Sequence, residues 1–129
     1  MGYGKEIYTT GGTSFLLLDT RAAAITCSLL ISISSLQSGR PNLYSVEIYR
    51  SAGSISAPNI YIKVLSGTYA MKLAQKTDAD GRFKLYIKRT AYTPVVWTKI
   101  LTQFGVDNGL LVTAASEGDL QDAVEIEAT

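Results

Sequence analysis

The sequence predicts an all-β domain, a sandwich or small barrel of about ten strands. Runs rich in Val, Ile, Leu, Tyr and Thr alternate with turn chemistry along all 129 residues. Inside many of these runs apolar residues recur at every second position, as on a half-buried strand, and no stretch keeps a helical period. A chain of this length makes one domain with a core between two packed layers.

Residues 5–9 read as a leading strand ended by Gly11-Gly12, and residues 14–18 as a compact apolar strand ended by Asp19-Thr20. The run 23–35 is the longest, with Leu29, Ile31 and Ile33 on one side and Ser28, Ser32 and Ser34 on the other. Ser38-Gly39-Arg40-Pro41-Asn42 is a loop, because Gly permits φ > 0 and Pro cannot donate to a ladder. In the strand 43–50, Tyr44, Val46 and Ile48 face the core; the Ser/Ala/Gly stretch 51–57, closed by Pro58, is a second loop.

Ile60, Ile62 and Val64 alternate with Tyr61 and Lys63, and Ser66-Gly67-Thr68 leads to Tyr69, Met71 and Leu73. That pattern predicts a hairpin. A clearer one is centred on Thr77-Asp78-Ala79-Asp80-Gly81, whose Asp-Gly pair suits a tight turn. Beyond it Phe83, Leu85 and Ile87 share the core face, while Arg82, Lys84, Tyr86 and Lys88 face outward. Pro94 opens the strand 95–102, Asp107-Asn108-Gly109 turns into 110–115, and 120–127 closes the chain after Ser116-Glu117-Gly118-Asp119. No interdomain linker and no internal repeat is evident.

Hydrophobic residues make up 47% and charged residues 18%, below the usual charged share of about a quarter. So little charge leaves two readings: a lone sandwich with Ser and Thr on its outer faces, or a surface buried against identical copies, which we favour. Charge is also divided along the chain. Residues 60–104 carry eight basic and two acidic groups, whereas residues 105–129 carry six acidic groups and no basic one. The acidic closing segment is therefore expected beside the basic strands, within one subunit or between two.

The single Cys27 cannot form an internal disulfide and reads as a small core residue in a strand. The opening Met1-Gly2-Tyr3-Gly4-Lys5-Glu6 lacks the basic-then-apolar pattern of a signal peptide, and Glu6 stands where a myristoylation signal needs Ser or Thr. The apolar stretch 22–33 is too short to span a bilayer and is broken by Thr26, Ser28 and Ser32. No membrane insertion is expected.

The chain has no histidine, which removes histidine-based triads and His-ligated metals. Gly2-Tyr3-Gly4 and Gly11-Gly12 lack the strand–glycine–helix context of a phosphate-binding loop. Asp78 and Asp80 are a close acidic pair, but Gly81 follows too early for an EF-hand loop. A plain Asp-Gly turn is expected there, with no metal, no cofactor and no catalytic residues. Tyr61, Lys84, Tyr86, Lys88 and Tyr92 are the candidate ligand-binding residues. Their flat rings with polar tips suit sugars or protein interfaces, and their cations suit an anionic glycan. A near-neutral chain argues against nucleic acid.

Three segments carry a resemblance: Gly11-Gly12-Thr13-Ser14-Phe15-Leu16-Leu17-Leu18, then Thr77-Asp78-Ala79-Asp80-Gly81-Arg82-Phe83-Lys84-Leu85-Tyr86-Ile87-Lys88-Arg89, then Ala91-Tyr92-Thr93-Pro94-Val95-Val96-Trp97. This succession resembles the distal receptor-binding domains of tailed-bacteriophage tail fibres and tailspikes. There a glycine-rich entry leads into a β-sandwich, and an Asp-Gly-x-Phe-x-Leu-Tyr turn feeds a strand with a Tyr-Thr-x-Val connection. The resemblance implies an antiparallel, jelly-roll-like β-sandwich assembled as a homotrimer on a virion. It also implies binding to a bacterial surface polysaccharide or an outer-membrane protein. Residues 1–10 would then be a linker or the end of a fibre shaft, and 11–129 the tip domain. The chain lacks the His-x-His iron site and the collagen-like shaft of some fibre tips, so packing would have to hold a trimer. Two rival expectations are a carbohydrate-binding module of a larger bacterial enzyme and a purely structural virion domain.

Overall fold

The computed structural model describes residues 6–10, 14–21, 24–35, 41–69, 71–88, 94–106 and 109–129. The strands are β1 (Glu6–Thr10), β2 (Ser14–Thr20), β3 (Ile25–Ser35), β4 (Asn42–Arg50), β5 (Asn59–Ser66), β6 (Leu73–Thr77), β7 (Phe83–Ile87), β8 (Pro94–Phe104), β9 (Thr113–Ala115) and β10 (Val124–Glu125), with one helical turn, α1 (Glu117–Leu120). They form two five-stranded antiparallel sheets. The first has the order β1-β8-β3-β4-β5 and the second β10-β6-β7-β2-β9. All-β is the fold class.

The two sheets share one core. Ile25, Cys27, Leu29, Ile31 and Ile33 of β3 and Tyr44, Val46 and Ile48 of β4 lie in the same buried cluster as Phe15, Leu73, Phe83, Leu85 and Ile87 of the second sheet. Alternation places them there: a strand's period of two sends every second side chain to one face. Cys27 takes the core position expected of it, and its burial pushes the thiol pKa up to about 12. Tyr44 is fully buried because its hydroxyl reaches the carbonyls of Thr68 (3.1 Å) and Met71 (3.3 Å), and its ring meets Tyr69 edge-on at 5.2 Å.

The β6–β7 hairpin forms as expected, with Thr77 opposite Phe83. Asp78 closes the turn by accepting, through Oδ1, the N–H groups of Asp80 (2.9 Å) and Arg82 (3.0 Å), and Gly81 takes φ +87°. Residues 6–10, read from sequence both as a leading strand and as the end of a shaft, pair with β8.

Three expectations fail. The hairpin across Ser66-Gly67-Thr68 does not form, because β5 is an edge of the first sheet while β6 belongs to the second. The chain is turned away there by a local lock, in which Asn42 Oδ1 accepts the Thr68 N–H at 2.8 Å. A Cβ on Gly67 would sit 2.3 Å from that same oxygen. Next, the strand expected at 110–115 starts only at Thr113, because Val112 has φ +45°, outside strand geometry and strained for a β-branched residue. Lastly, the strand expected over 120–127 shrinks to Val124–Glu125. Ahead of it Ser116 and Asp119 form a capping box: the Ser116 side chain accepts the Asp119 N–H, and the Asp119 carboxylate accepts the Ser116 N–H. The pattern Ser-x-x-Asp was the sequence signal for that turn of helix.

The closing segment has a long way to travel, since β9 and β10 are opposite edges of the second sheet. Residues 116–123 therefore cross its outer face as a strap, and Leu120 packs with Tyr86, Ala115, Leu16 and Ala123 in a second small cluster. Beyond β10 the tail runs from the second sheet to the first. Ile126 N–H donates to Leu73 O (2.9 Å), and Thr129 N–H donates to Ile62 O (2.7 Å) on edge strand β5.

Candidate functional site

The five candidate residues are not brought together. Tyr61 stands on the outer face of the first sheet, opposite Glu47, and is 50% exposed. Lys84 and Tyr86 belong to β7 in the second sheet, and Lys88 follows its end. Tyr86 shares the outer side with Lys84, as alternation requires, but it is only 2% exposed. The strap and Leu120 lie over it, so the expected solvent-facing aromatic is a packing residue; burial raises its pKa. Lys88 is engaged by the acidic segment, its Nζ lying 2.5 Å from Glu125 Oε2. That contact holds the Glu125 carboxyl below its ordinary pKa. Tyr92 lies outside the described residues.

Two surfaces emerge instead. The first is the outer face of the sheet β1-β8-β3-β4-β5. Cross-strand register builds it in rows: Phe104–Thr26–Tyr49, then Thr102–Ser28–Glu47–Tyr61, then Lys99–Leu30–Ser45–Lys63. A slip in register between Ser28 and Leu29 against β8 leaves Leu101 exposed beside these rows. Tyr49, Tyr61, Leu65, Leu101 and Phe104 are five of the seven large apolar side chains exposed among the described residues. Their concentration on one face, among Ser, Thr, Glu and Lys side chains, makes that face a candidate interaction surface.

The second is a groove of about 500 Å³ lying between the 51–57 loop and strands β6 and β10 of the second sheet, lined by Ile55, Ser56, Ala57, Gln75, Lys76, Thr77, Asp78, Asp122 and Val124. Its loop wall is held from two sides. The Arg50 guanidinium donates to Ser56 O at 3.1 Å. Gly81 packs so closely that a Cβ there would lie 3.1 Å from the Ile55 Cα. A notch of about 90 Å³ adjoins the groove, lined by Lys76, Asp78, Arg82 and Lys84. Lys76 and Asp78 line both. Lys84 stands between two cross-strand partners, Lys76 on β6 and Asp19 on β2, so the like-charge opposition that sheets ordinarily avoid is offset by a carboxylate on the other side.

Around the notch most charges are already engaged. Arg82 grips Asp19 through two parallel bonds, Nε to Oδ1 at 2.8 Å and Nη2 to Oδ2 at 2.7 Å. The bond from Arg82 holds the Asp19 carboxyl below its ordinary pKa. Asp119 is lowered likewise, chiefly by the Ser116 N–H that it accepts. Lys76 Nζ donates to the Asp119 carbonyl at 2.6 Å. Lys84, half-buried, lies directly across from Asp19, and its charge helps to hold the Asp19 and Asp119 carboxyls below their ordinary pKa. Of the sequence candidates only Lys84 lies in this site. Lys76 counted only among the basic groups of residues 60–104, and Ile55 lies in a loop brought close only by tertiary folding.

Among the described residues no cluster of His, Cys, Asp or Glu is placed to hold a metal ion. Compared with protein-family models, with curated proteins and with solved structures, the chain matches none.

Proposed function

We propose that this chain is a distal receptor-binding domain of the tail-fibre or tailspike type, a homotrimer on a virion that attaches to a bacterial surface polysaccharide or an outer-membrane protein. The observation that carries this reading is the outer face of the first sheet. Tyr49, Tyr61, Leu65, Leu101 and Phe104 crowd one face of a chain with only 18% charged residues, as suits a surface buried against copies of itself. The notch lies on the outer face of the second sheet, and the groove runs along the margin between that sheet and the β4–β5 loop of the first. The tail-fibre assignment itself is supported by the likeness of residues 11–18, 77–89 and 91–97 to that family. The jelly-roll-like form belongs to the same proposal: the chain passes between the sheets at β1–β2, β2–β3, β5–β6, β7–β8 and β8–β9, while β3-β4-β5 is a meander. Catalysis has no part in this reading.

The test joins a mass measurement in solution to binding on an array of bacterial polysaccharides and outer-membrane preparations. The expected result is three times the 13.9 kDa chain mass together with a bound surface component. A monomer that binds glycan would make it a carbohydrate-binding module instead. A trimer silent on every surface component would make it a structural virion domain.

A further inference from the structure

We infer that the groove between the 51–57 loop and β6 takes an extended peptide segment, which pairs with the open end of the β6 edge as a short added strand. The segment carries an apolar residue and a Lys or Arg. The inference deepens the receptor-binding reading and takes from it the source of the segment, an exposed loop of an outer-membrane protein.

Main-chain direction carries the inference. Across the β6–β7 hairpin Lys88 N–H donates to Lys72 O (2.9 Å) and Asp78 N–H to Arg82 O (3.1 Å). Antiparallel ladders alternate, so Ala74 and Lys76 also turn their main-chain groups to β7. Leu73, Gln75 and Thr77 turn theirs to the opposite edge. There Leu73 O accepts the Ile126 N–H, and Gln75 stands opposite Val124 of β10. Ahead of Val124 the chain leaves the edge: Ala123 N–H donates to Leu120 O (3.1 Å), and Ala123 packs with Tyr86 on the outer face. Thr77 is left with no strand alongside, its N–H and C=O directed toward the groove that it helps to line. An open edge of this kind is a template for another extended chain.

The walls select the segment. At about 500 Å³ the groove has the size of ligand clefts, roughly 300–1,000 Å³. Among the described residues Ile55 and Val124 are the two large exposed apolar side chains that do not belong to the outer face of the first sheet, and both line the groove. They offer apolar surface to a side chain of the segment. The charged lining is Asp78 and Asp122 against Lys76, whose ammonium already donates to Asp119 O at 2.6 Å. That balance favours a cation on the segment and disfavours an anion.

The test is an amide-shift titration of the whole chain by NMR. The probes are the peptide acetyl-Thr-Ile-Lys-Val-Thr-amide, a form N-methylated throughout, and a form with Glu in place of Lys. The first peptide at millimolar concentration should move the amides of Gln75 to Asp78 and of Ile55 to Ala57, and should slow hydrogen exchange at the Thr77 amide. N-methylation should abolish both effects, because the peptide can no longer donate to a strand. Glu in place of Lys should weaken binding about threefold, within the range of an exposed ion pair. Asp122→Asn should narrow that preference, and Ile55→Ser should weaken the first peptide. No response to the first peptide, shifts confined to other surfaces, unchanged exchange at Thr77, equal binding of the N-methylated form, or no preference for Lys over Glu would each overturn the inference. The receptor-binding reading fails separately. Attachment to bacterial cells that survives Ile55→Ser with Asp122→Lys sinks the groove and leaves the receptor reading standing. Peptide binding by a chain with no affinity for bacterial surfaces leaves the pairing at Thr77 standing and sinks the receptor reading.

Discussion

Leu85 and Lys84 are neighbours in β7 with opposite surroundings. Leu85 has no exposed surface and lies in the shared core, whereas Lys84 faces out from the second sheet. Leu85→Ala should therefore destabilise the domain by about 2–5 kcal/mol, the lost transfer energy plus a cavity. Lys84→Ala should stay within about 0.5 kcal/mol of the parent. Denaturant midpoints check both, and equal effects would overturn the strand's orientation. Asp19 has a different signature. Its carboxyl, held below the ordinary value of 3.8 by the Arg82 bonds, stabilises the fold at all pH above that value. The contribution is lost as pH falls through the lower folded-state pKa. Asp19→Asn should thus lower the unfolding midpoint at pH 7 and flatten its fall in acid. A variant with the parent's acid limb would show that the pair contributes nothing. Tyr86 shows the limit of residue-level reading: its side is right by alternation, its exposure is set by Leu120 from another element.

At the scale of elements, the β6–β7 hairpin was legible because its information is local. Asp78 and Gly81 supply the turn, and Phe83, Leu85 and Ile87 supply the face. The β5–β6 connection carried a similar local pattern and was misread. Alternation says which side chains share a face, but not which of two sheets the strand joins. The strap was half legible. Its charge complementarity to the basic strands was expected, and Lys88–Glu125 is the ion pair that results, while Lys76 donates to the backbone carbonyl of Asp119. Its path over Tyr86 follows from β9 and β10 being opposite edges, which no local signal encodes. Reversing the charge with Glu125→Lys should lower the thermal midpoint at low salt and recover it at high salt, because screening weakens exposed pairs. A salt-independent midpoint would mean that the tail is held by its backbone bonds to Leu73 and Ile62 alone.

At the scale of the whole molecule, the low charge content becomes a placed surface. Phe104 is 66% exposed and Tyr49 51%, and both flank Thr26 in one row of the first sheet. If that row lies in the proposed trimer interface, Phe104→Ser with Tyr49→Ser should yield a monomer with the parent's circular dichroism. Core packing is untouched, so the fold should persist while association is lost. Light scattering decides it: a trimer that survives both changes places the interface elsewhere.

The all-β class, the core faces of β3, β4, β5 and β7, the Asp78–Gly81 turn and the pairing of an acidic end with a basic middle can all be read from the residues in order. All of these follow from period-two alternation, turn chemistry and net charge, which neighbouring residues encode among themselves. Folding in three dimensions puts β5 and β6 in different sheets, lays Leu120 over Tyr86, and brings Ile55 and Val124 to Lys76 along one groove. Those outcomes depend on which distant segments bury each other's apolar surface. Lys84 could be recognised as an outward cation from β7 alone, but its place between Lys76 and Asp19 follows only from the pairing of β2, distant in sequence, with the β6–β7 hairpin.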